Sequence, residues 1–502
     1  MSGSGKHNGI IFLSFVEGCF IMKKIMKTLF VALFLLLMSA PAVFADEAAH
    51  EAVSEALPIW SIIPFAGMLL SIAIVPLVKP EWWEKNMLWA ALAWSVVFLV
   101  PFAIAYGPGE ALYRLLESVL LDYVPFIVLL LGLFVVAGGI ALKGTLVGTT
   151  KVNAILLLIG TVLASWIGTT GAAMLLIRPI IRANAWREKK VHVIVFFIFL
   201  VANMGGCLTP LGDPPLFMGF QRGVSFTWTF HLLPILVFNL IILFIVFILI
   251  DRRYYKKEIA AGRSPQDMAG NSTKEPIRIE GAHNVIFIAL IILGVVASGV
   301  LPKMFDFFAD GAGIHIYDEV VFPYATLVEI VLILLACVLS LKTTKKSTRE
   351  LNEFSYAPIA EVAKLFIGIF ITMIPALALL KVHGGQLGID QPWQMFWVTG
   401  AMSSFLDNTP TYLVFLTTAG TLAFTNGITT TLGTVPTKIL SAISCGAVFM
   451  GANTYIGNAP NFMVKAISDE NGVKMPSFFG YMLWSIAFLV PVFIIDMFVF
   501  FL

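Results

Sequence analysis

Residues 206–220, GCLTPLGDPPLFMGF, place one carboxylate, Asp213, among three prolines and three glycines within an apolar region. A second acid, Asp407, lies in SSFLDNTPTYL at 403–413, which also interrupts an apolar region. A carboxylate near the centre of a bilayer costs at least roughly 2.5–3.5 kcal/mol on insertion scales, so such residues usually mark ion or proton pathways. Helix capping is the alternative role for both acids, because Asp is a favoured N-cap residue and prolines follow each of them.

Neutral polar side chains accompany the two acids, and no obvious basic partner lies in the same breaks. Low-dielectric surroundings favour the protonated form of a carboxylate, and hard cations prefer oxygen ligands, so a proton and Na⁺ compete for such a group. We therefore predict a site in which Asp213 and Asp407 bind Na⁺. The neutral residues predicted beside them are Thr169, Thr170, Thr209, Asn408, Thr409, Asn453, Thr454, Asn458 and Asn461.

Composition predicts a polytopic membrane protein. Of the 502 residues, 59% are hydrophobic and 12% are charged, whereas soluble domains are about half apolar and about one quarter charged. The net charge of +2 gives no indication of nucleic-acid binding. Apolar runs of about 20 residues can each cross a hydrocarbon core about 30 Å thick. Full spans are predicted near 58–78, 88–106, 122–142, 230–250, 283–302, 319–341, 363–381 and 477–502.

The N-terminus has the pattern of an export signal. Lysines near Met22 precede an apolar stretch and a small-residue site ending at Ala45, which is the layout of a cleaved secretory signal peptide. The acidic segment that follows is interpreted as a solvated periplasmic tail, and the protein is predicted to lie in a bacterial inner membrane. The predicted divisions are a leader at 1–45, the tail at 46–57, a first transmembrane repeat at 58–260, a cytoplasmic linker at 261–281 and a second repeat at 282–502.

Charge bias predicts how the chain is oriented. The segments at 178–190, 251–258 and 342–349 are rich in Lys and Arg, whereas the segment at 305–319 is acidic. The positive-inside rule places the three basic segments in the cytoplasm and the acidic one outside. A periplasmic start after signal cleavage gives the same orientation.

Two broken apolar regions, 152–228 and 393–466, resemble one another. GDPPLF at 212–217 aligns with GNAPNF at 457–462, and upstream Gly205-Gly206 aligns with Gly451-Ala452. The predicted topology gives the two regions opposite senses across the membrane. The sequence therefore predicts an all-α membrane protein with inverted repeats, each containing a re-entrant hairpin and a discontinuous transmembrane helix, as in secondary transporters.

Two further acids lie in predicted spans or at their entrances. Glu329 lies well inside its span, where a proton relay and a buried acid paired across helices are both consistent with the sequence. Glu361 is also a candidate proton relay, although its spacing from Lys364 favours an interfacial ion pair.

The motifs TPLGDPPLF, SSFLDNTPTY and GANTYIGNAPNFMVKAI resemble those of NhaD-type sodium/proton antiporters. This family belongs to the ion transporter superfamily that also contains citrate, dicarboxylate and arsenite carriers, and the resemblance covers about 58–502. It implies the two-hairpin inverted-repeat fold, a homodimer whose transport part moves elevator-fashion, and exchange of cytoplasmic Na⁺ or Li⁺ for external H⁺. Residue by residue, it implies that Asp213 and Asp407 bind the ion, with Thr209, Asn408, Thr409, Asn453 and Asn458 as neutral neighbours.

Two alternatives to a sodium/proton antiporter belong to other functional classes. A citrate or dicarboxylate transporter coupled to Na⁺ or H⁺ would need a cationic or amide-rich anion pocket, and the two acids argue against it. A membrane enzyme or receptor is not supported, because the sequence has no zinc helix, nucleophile elbow or phosphate loop. We therefore expect a transporter that is not an enzyme, with no cofactor beyond the transported ions Na⁺ and H⁺, and with lipid and a second copy of the chain as its partners.

Overall fold

The computed structural model describes residues 47–264, 275–309 and 311–502. The predicted leader and part of the predicted linker lie outside these residues. The described chain is almost entirely helical, and ten of its segments are long and apolar enough to cross a membrane. The expected all-α polytopic fold is confirmed.

Proline at the first or second position starts many of these helices, where its missing amide costs nothing and its fixed φ suits the helix. The first half contains α1 (Glu47–Ala56), α2 (Ile63–Val78), α3 (Pro80–Tyr106), α4 (Pro108–Leu116), α5 (Val124–Ala137), α6 (Thr150–Ile167), α7 (Thr169–Ala183), α8 (Val191–Leu200), α9 (Pro214–Gln221) and α10 (Leu233–Ala260). The second half contains α11 (Asn284–Met304), α12 (Tyr324–Thr343), α13 (Lys346–Leu351), α14 (Ala357–His383), α15 (Pro392–Ser403), α16 (Asn408–Gly420), α17 (Thr437–Met450), α18 (Ala459–Glu470) and α19 (Phe478–Asp496).

Three short antiparallel strand pairs connect helices. β1 (Ala141–Lys143) pairs with β2 (Arg278–Glu280), with Ala141 opposite Glu280. This pair joins the segment before α6 to the segment before α11. The other two pairs are β3 (Gly313–Tyr317) with β4 (Val320–Pro323), and β5 (Ile428–Thr430) with β6 (Gly433–Val435).

All eight predicted spans coincide with apolar helical segments of the structure. Two further segments, Thr150–Ile167 and Val191–Leu208, also have the length and hydropathy of a membrane span. Both lie in the first of the two broken regions, where the sequence predicted a hairpin and an interrupted helix rather than simple spans.

Each broken region begins with a helical hairpin. In the first region only Gly168 separates α6 from α7, and its φ of +78° lies in the left-handed region that favours glycine. In the second region residues 404–407 separate α15 from α16.

An interrupted helix follows each hairpin. α8 gives way to a 3₁₀ turn, Met204–Leu208, and a short turn at 209–213 before α9. α17 gives way to a 3₁₀ turn, Gly451–Asn453, and a short bent linker at 454–458 before α18. The two predicted helix breaks are therefore present, with the same order of elements in both copies.

Close backbone packing corrects the detail of the repeat alignment. A Cβ atom at Gly212 would collide with the carbonyl oxygen of Gly206, and one at Gly457 would lie 2.5 Å from that of Gly451. Gly206 therefore corresponds to Gly451, one residue away from the alignment of Gly205-Gly206 with Gly451-Ala452. The same correspondence follows when the alignment of 212–217 with 457–462 is extended upstream without a gap.

The interrupted helix of the first copy forms the centre of the molecule. In Val191–Leu208, 89% of the residues are buried, whereas the shares are 22% and 28% in the 18-residue apolar stretches of Asn284–Met304 and Phe226–Ala260. The outer helices present rows of exposed Ile, Leu and Val, as expected of surfaces that face lipid. The two helix breaks consequently lie inside the protein, the only setting in which irregular backbone is tolerated at membrane depth.

The acidic segment after the predicted leader is not a solvated tail, and that interpretation was wrong. It forms α1, and the His50 side chain is only 4% exposed. His50 Nδ1 contacts a carboxylate oxygen of Glu110, its ring stacks on Tyr113 at 3.8 Å, and Arg114 donates a hydrogen bond of 2.7 Å to the His50 carbonyl oxygen. Hydrophobic patterning missed this helix because its apolar contribution is small. Val53 packs against the cluster that contains Phe98 and Phe102, and the polar network supplies the other contacts.

We predict that Gly457→Ala destabilises the protein. The added methyl group would lie 2.5 Å from the Gly451 carbonyl oxygen and 2.7 Å from that of Ser403, and overpacking of this kind costs about 1–3 kcal/mol. The thermal unfolding midpoint of the detergent-solubilised protein should fall by several degrees. Gly385→Ala is the matched control, because its Cβ would meet only an ordinary contact at 3.6 Å. Equal midpoints for the two variants would contradict the close approach.

Candidate functional site

Asp213 lies in the linker between α8 and α9, and its side chain is completely buried. Its Oδ2 accepts a hydrogen bond of 2.8 Å from Asn408 Nδ2. Its Oδ1 accepts from Thr169 Oγ1 at 3.2 Å and from Asn458 Nδ2 at 3.3 Å. All three donors are neutral. The carboxylate therefore joins both hairpins to both interrupted helices, although these residues are far apart in the sequence.

Four helices begin at this cluster. Asp213 immediately precedes α9, Thr169 is the first residue of α7, Asn408 is the first residue of α16, and Asn458 immediately precedes α18. The N-terminus of a helix carries free amides and a partial positive charge of about half an elementary charge. The sequence folds in this way because a glycine or a short linker interrupts each apolar segment next to a residue that tolerates the start of a helix. The positive ends of four helices thus lie around the Asp213 side chain.

The two acids have different local roles. The Asp213 carboxylate does not cap its own helix, so capping does not account for this residue. Asp407 does act as a cap, because its Oδ1 accepts a hydrogen bond of 3.0 Å from the Thr409 backbone amide. Asp407 is partly exposed and lies close enough to Asp213 for the two charges to interact. The structure brings both predicted acids together, one buried and one at the edge of the cluster.

Three asparagines connect the two interrupted helices. Asn203 Nδ2 donates to Asn461 Oδ1 at 2.7 Å, and Asn458 Nδ2 lies 3.2 Å from Asn203 Oδ1. Asn461 Nδ2 donates to the carbonyl oxygens of Gly451 and Thr454, at 2.9 Å each. These amides satisfy carbonyl groups that the breaks leave without helical partners. They also fix Asn458 in position to donate to Asp213.

The predicted threonines at the linkers hold the hairpins in place. Thr209 Oγ1 donates to the carbonyl oxygen of Ser165, and Thr454 Oγ1 donates to that of Ser404 at 2.5 Å. Each hydroxyl also accepts from a backbone amide two residues later, at 3.2 Å in both copies. Neither threonine hydroxyl contacts the Asp213 carboxylate, so we assign both a positioning role.

The remaining predicted neighbours lie closer to the edge of the Asp213 cluster. Asn453 Nδ2 donates to Ser404 Oγ at 2.9 Å, whereas its Oδ1 is buried without a hydrogen-bond partner in the described part of the chain. Thr170 is partly exposed beside Thr169, and Thr409 is buried beside Asp407. Asn453 Oδ1 is thus an unused oxygen ligand near the second helix break.

The two predicted relay acids do not join the cluster. Glu329 is 3% exposed in α12 and faces Ser298 of α11. Glu361 is exposed near the start of α14, beside Lys364. Neither hydrogen-bonds with Asp213 or Asp407 among the described residues. A proton-relay role for them stays a prediction.

Sequence reasoning missed another intramembrane acid. Asp496 of α19 is fully buried, and both of its carboxylate oxygens lie 2.9 Å from Asn239 Nδ2 of α10. The signal was a single Asp in the apolar segment FLVPVFIIDMFVF. Within the described ranges no group of three or more His, Cys, Asp or Glu side chains is arranged to hold a metal ion. Cation ligands at the Asp213 cluster would therefore include neutral oxygens.

Comparison with known families identifies the class of protein. Residues 54–501 match the model of a family described as "Putative citrate transport". The chain belongs to this family. No curated protein matches the chain.

Membership of the citrate transport family agrees with the membrane-helical fold and with the site. It makes the protein a membrane transporter of the citrate transporter type, within the superfamily that the sequence motifs indicated. The match covers both hairpins and both interrupted helices, and therefore every residue of the Asp213 cluster.

We predict that Asp407→Ala lowers the stability of the protein by about 0.5–2 kcal/mol, the usual cost of losing an N-cap. Asp407→Asn should lose much less, because the amide oxygen can still accept from the Thr409 amide, which lies 3.0 Å from the carboxylate oxygen. Thermal unfolding of the two variants in detergent measures the difference. Equal losses for Ala and Asn would contradict the cap.

Proposed function

We propose that the protein exchanges cytoplasmic Na⁺ or Li⁺ for external H⁺ across the inner membrane of a bacterium, as an NhaD-type antiporter does. The observation that carries the proposal is the Asp213 carboxylate, which is fully buried where four helices begin and, among the described residues, hydrogen-bonded only to neutral donors.

The helix N-termini support a cation exchanger rather than an anion carrier. Such termini are ready sites for carboxylate and phosphate groups, and in transporters they often meet the carboxylate of the substrate. Here the side chain of Asp213 fills the position at which four helices begin. The protein supplies the anion itself, so the partner that is missing is a cation or a proton.

The need to balance the charge of the buried Asp213 carboxylate leads to exchange of Na⁺ for H⁺. An ionised carboxylate that is buried without a cationic partner costs several kcal/mol, so it is occupied in turn by a proton or by a metal cation. Because one carboxylate holds only one of the two at a time, arrival of Na⁺ displaces H⁺. Asp407, which is partly exposed at the edge of the cluster, is placed to take up the ion first. Asn453 Oδ1 and backbone carbonyl oxygens at the breaks would complete the ligands.

Alternating access completes the proposed cycle. The hairpins and interrupted helices would carry the site between the two faces of the membrane in a homodimer, as the resemblance to antiporters implies. In that cycle Na⁺ leaves the cytoplasm and H⁺ enters.

Transport of citrate or a related dicarboxylate, coupled to Na⁺ or H⁺, is the second candidate, and the description of the family favours it. A tricarboxylate would need cationic or amide donors beyond those bound to Asp213. Two basic residues of the interrupted helices are already paired, Arg222 with Asp122 at 2.8 Å and Lys465 with Asp469 at 2.8 Å. This pairing makes citrate the weaker candidate.

We predict that Asp213→Asn abolishes exchange. In everted vesicles that have established a proton gradient, addition of Na⁺ should dissipate the gradient with the wild-type protein, but the Asn variant should match vesicles without the protein. The control is Asp306→Asn, which removes an exposed acid and should behave as wild type. Wild-type exchange by Asp213→Asn would overturn the role of this carboxylate.

We also predict competition between the two ions. If one carboxylate binds either H⁺ or Na⁺, the Na⁺ concentration that gives half-maximal exchange should rise by about tenfold for each unit by which the pH is lowered in the acidic range. Exchange rates titrated with Na⁺ and Li⁺ at several pH values measure this slope. A half-maximal concentration independent of pH would exclude a shared site.

The same vesicles distinguish the two candidate functions. Addition of citrate or succinate should neither dissipate the proton gradient nor lead to uptake of the labelled anion. Accumulation of labelled citrate that depends on Na⁺ or H⁺ would support the second candidate and reject the first.

A further inference from the structure

A groove of about 490 Å³ lies between α10 and α19, away from the Asp213 cluster. Residues of both helices line it: Ile250, Arg253, Tyr254, Lys257, Leu483, Trp484, Ala487 and Phe488. Its size is within the range of small-molecule sites, about 300–1,000 Å³.

The groove has a charged part and an apolar part. Arg253 and Lys257 are one helical turn apart, so their side chains project from the same face of α10. Both are exposed, and neither makes an ion pair or a hydrogen bond within the described residues. The opposite wall consists of Leu483, Ala487 and Phe488 of α19. A ligand that satisfies both parts must be anionic at one end and apolar at the other.

The acids near this part of α10 are already engaged. Asp251 is fully buried and pairs with Arg187 at 2.5 Å and with His192 at 2.8 Å. Glu258 is also buried and accepts from the Lys189 backbone amide at 2.7 Å and from Arg263 at 2.8 Å. The positive charges of the groove are therefore not neutralised by neighbouring carboxylates.

The position of the groove along the helices fits a membrane surface. The charge bias predicts that the segment 251–258, which ends the apolar part of α10, emerges on the cytoplasmic side. Tyr254 and Trp484 lie at this level, and such aromatic residues are enriched at membrane–water interfaces. The apolar wall of α19 continues from there towards the predicted hydrocarbon region.

We propose that this groove binds an anionic phospholipid of the cytoplasmic leaflet. The phosphate lies between Arg253 and Lys257, the ester region lies beside Tyr254 and Trp484, and an acyl chain follows the wall formed by Phe488 and its neighbours. Basic pockets between transmembrane helices on the cytoplasmic side are typical sites for lipid head groups. The proposal does not depend on which substrate the protein transports.

A brominated-lipid experiment tests the site. The full-length protein is reconstituted into phosphatidylcholine vesicles that contain a small fraction of brominated phosphatidylglycerol, and quenching of tryptophan fluorescence is titrated. The chain has 11 tryptophans, so Trp484→Phe identifies the part of the signal that comes from the groove. Brominated phosphatidylcholine replaces the anionic lipid in a parallel titration.

The chain offers a matched pair of charge variants. The test variant is Arg253→Gln with Lys257→Gln, and the control is Arg252→Gln with Lys256→Gln. The control pair has the same spacing, net charge and exposure, but it does not line the groove.

We expect quenching of Trp484 at a low fraction of phosphatidylglycerol in the wild type and in the control. The test variant should need about 30-fold more of the anionic lipid, as expected from the loss of two basic contacts at a membrane surface. Equal losses in the two double variants, or equal quenching by brominated phosphatidylcholine, would overturn the proposal. If inorganic phosphate abolishes the quenching by brominated phosphatidylglycerol, the groove is instead a site for free anions, and this result would also overturn the proposal.

Discussion

The start of four helices at one buried carboxylate is the constraint on which the rest of the site depends. Each helix N-terminus leaves several amides without intrahelical partners, and in a bilayer these amides cannot be satisfied by bulk water. The breaks at Gly168 and between α8 and α9 are therefore tolerable only if their polar groups meet inside the protein. Asp213 accepts from side chains at the starts of three of these helices, Thr169, Asn408 and Asn458. The Asn461 amide donates to the Gly451 and Thr454 carbonyl oxygens at the second break.

The two repeats contribute unequal residues to equivalent positions. Asp213 precedes α9, whereas Asn458 precedes α18; Asp407 precedes α16, whereas Gly168 precedes α7. If both copies carried acids at these positions, four carboxylates would meet at the cluster. Asp213 and Asn458 have the same extended backbone, so the amide in the second copy keeps the geometry and removes a like charge. Gly168 and Asp407 differ in backbone conformation as well as in charge. The asymmetry therefore leaves Asp213 as the one acid of the four that is fully buried.

The sequence predicted the spans, the two helix breaks and the proximity of Asp213 to Asp407, because apolar runs, prolines and intramembrane acids are local signals. It did not predict that α1 folds against Glu110 and Tyr113, because that helix is anchored by partners about 60 residues away in the chain. The equivalence of Gly206 with Gly451 follows from a gapless extension of the alignment of 212–217 with 457–462, and the close approach of backbones explains the glycines at 212 and 457. Long-range hydrogen bonds therefore account for the helix that was missed.

Depth in the membrane does not by itself assign a function to an acid, as Asp496 shows. Asp496 is as buried as Asp213, but it lies where α19 continues directly into a turn of π-helix, and its carboxylate is bound by the single amide of Asn239. Asp496 lies at the end of α19 and not at the start of a helix. Asp213, in contrast, precedes α9 and has donors from both repeats at the starts of three other helices. The helix starts, rather than burial alone, therefore distinguish Asp213, the carboxylate proposed to bind ions, from Asp496, which connects two packed helices.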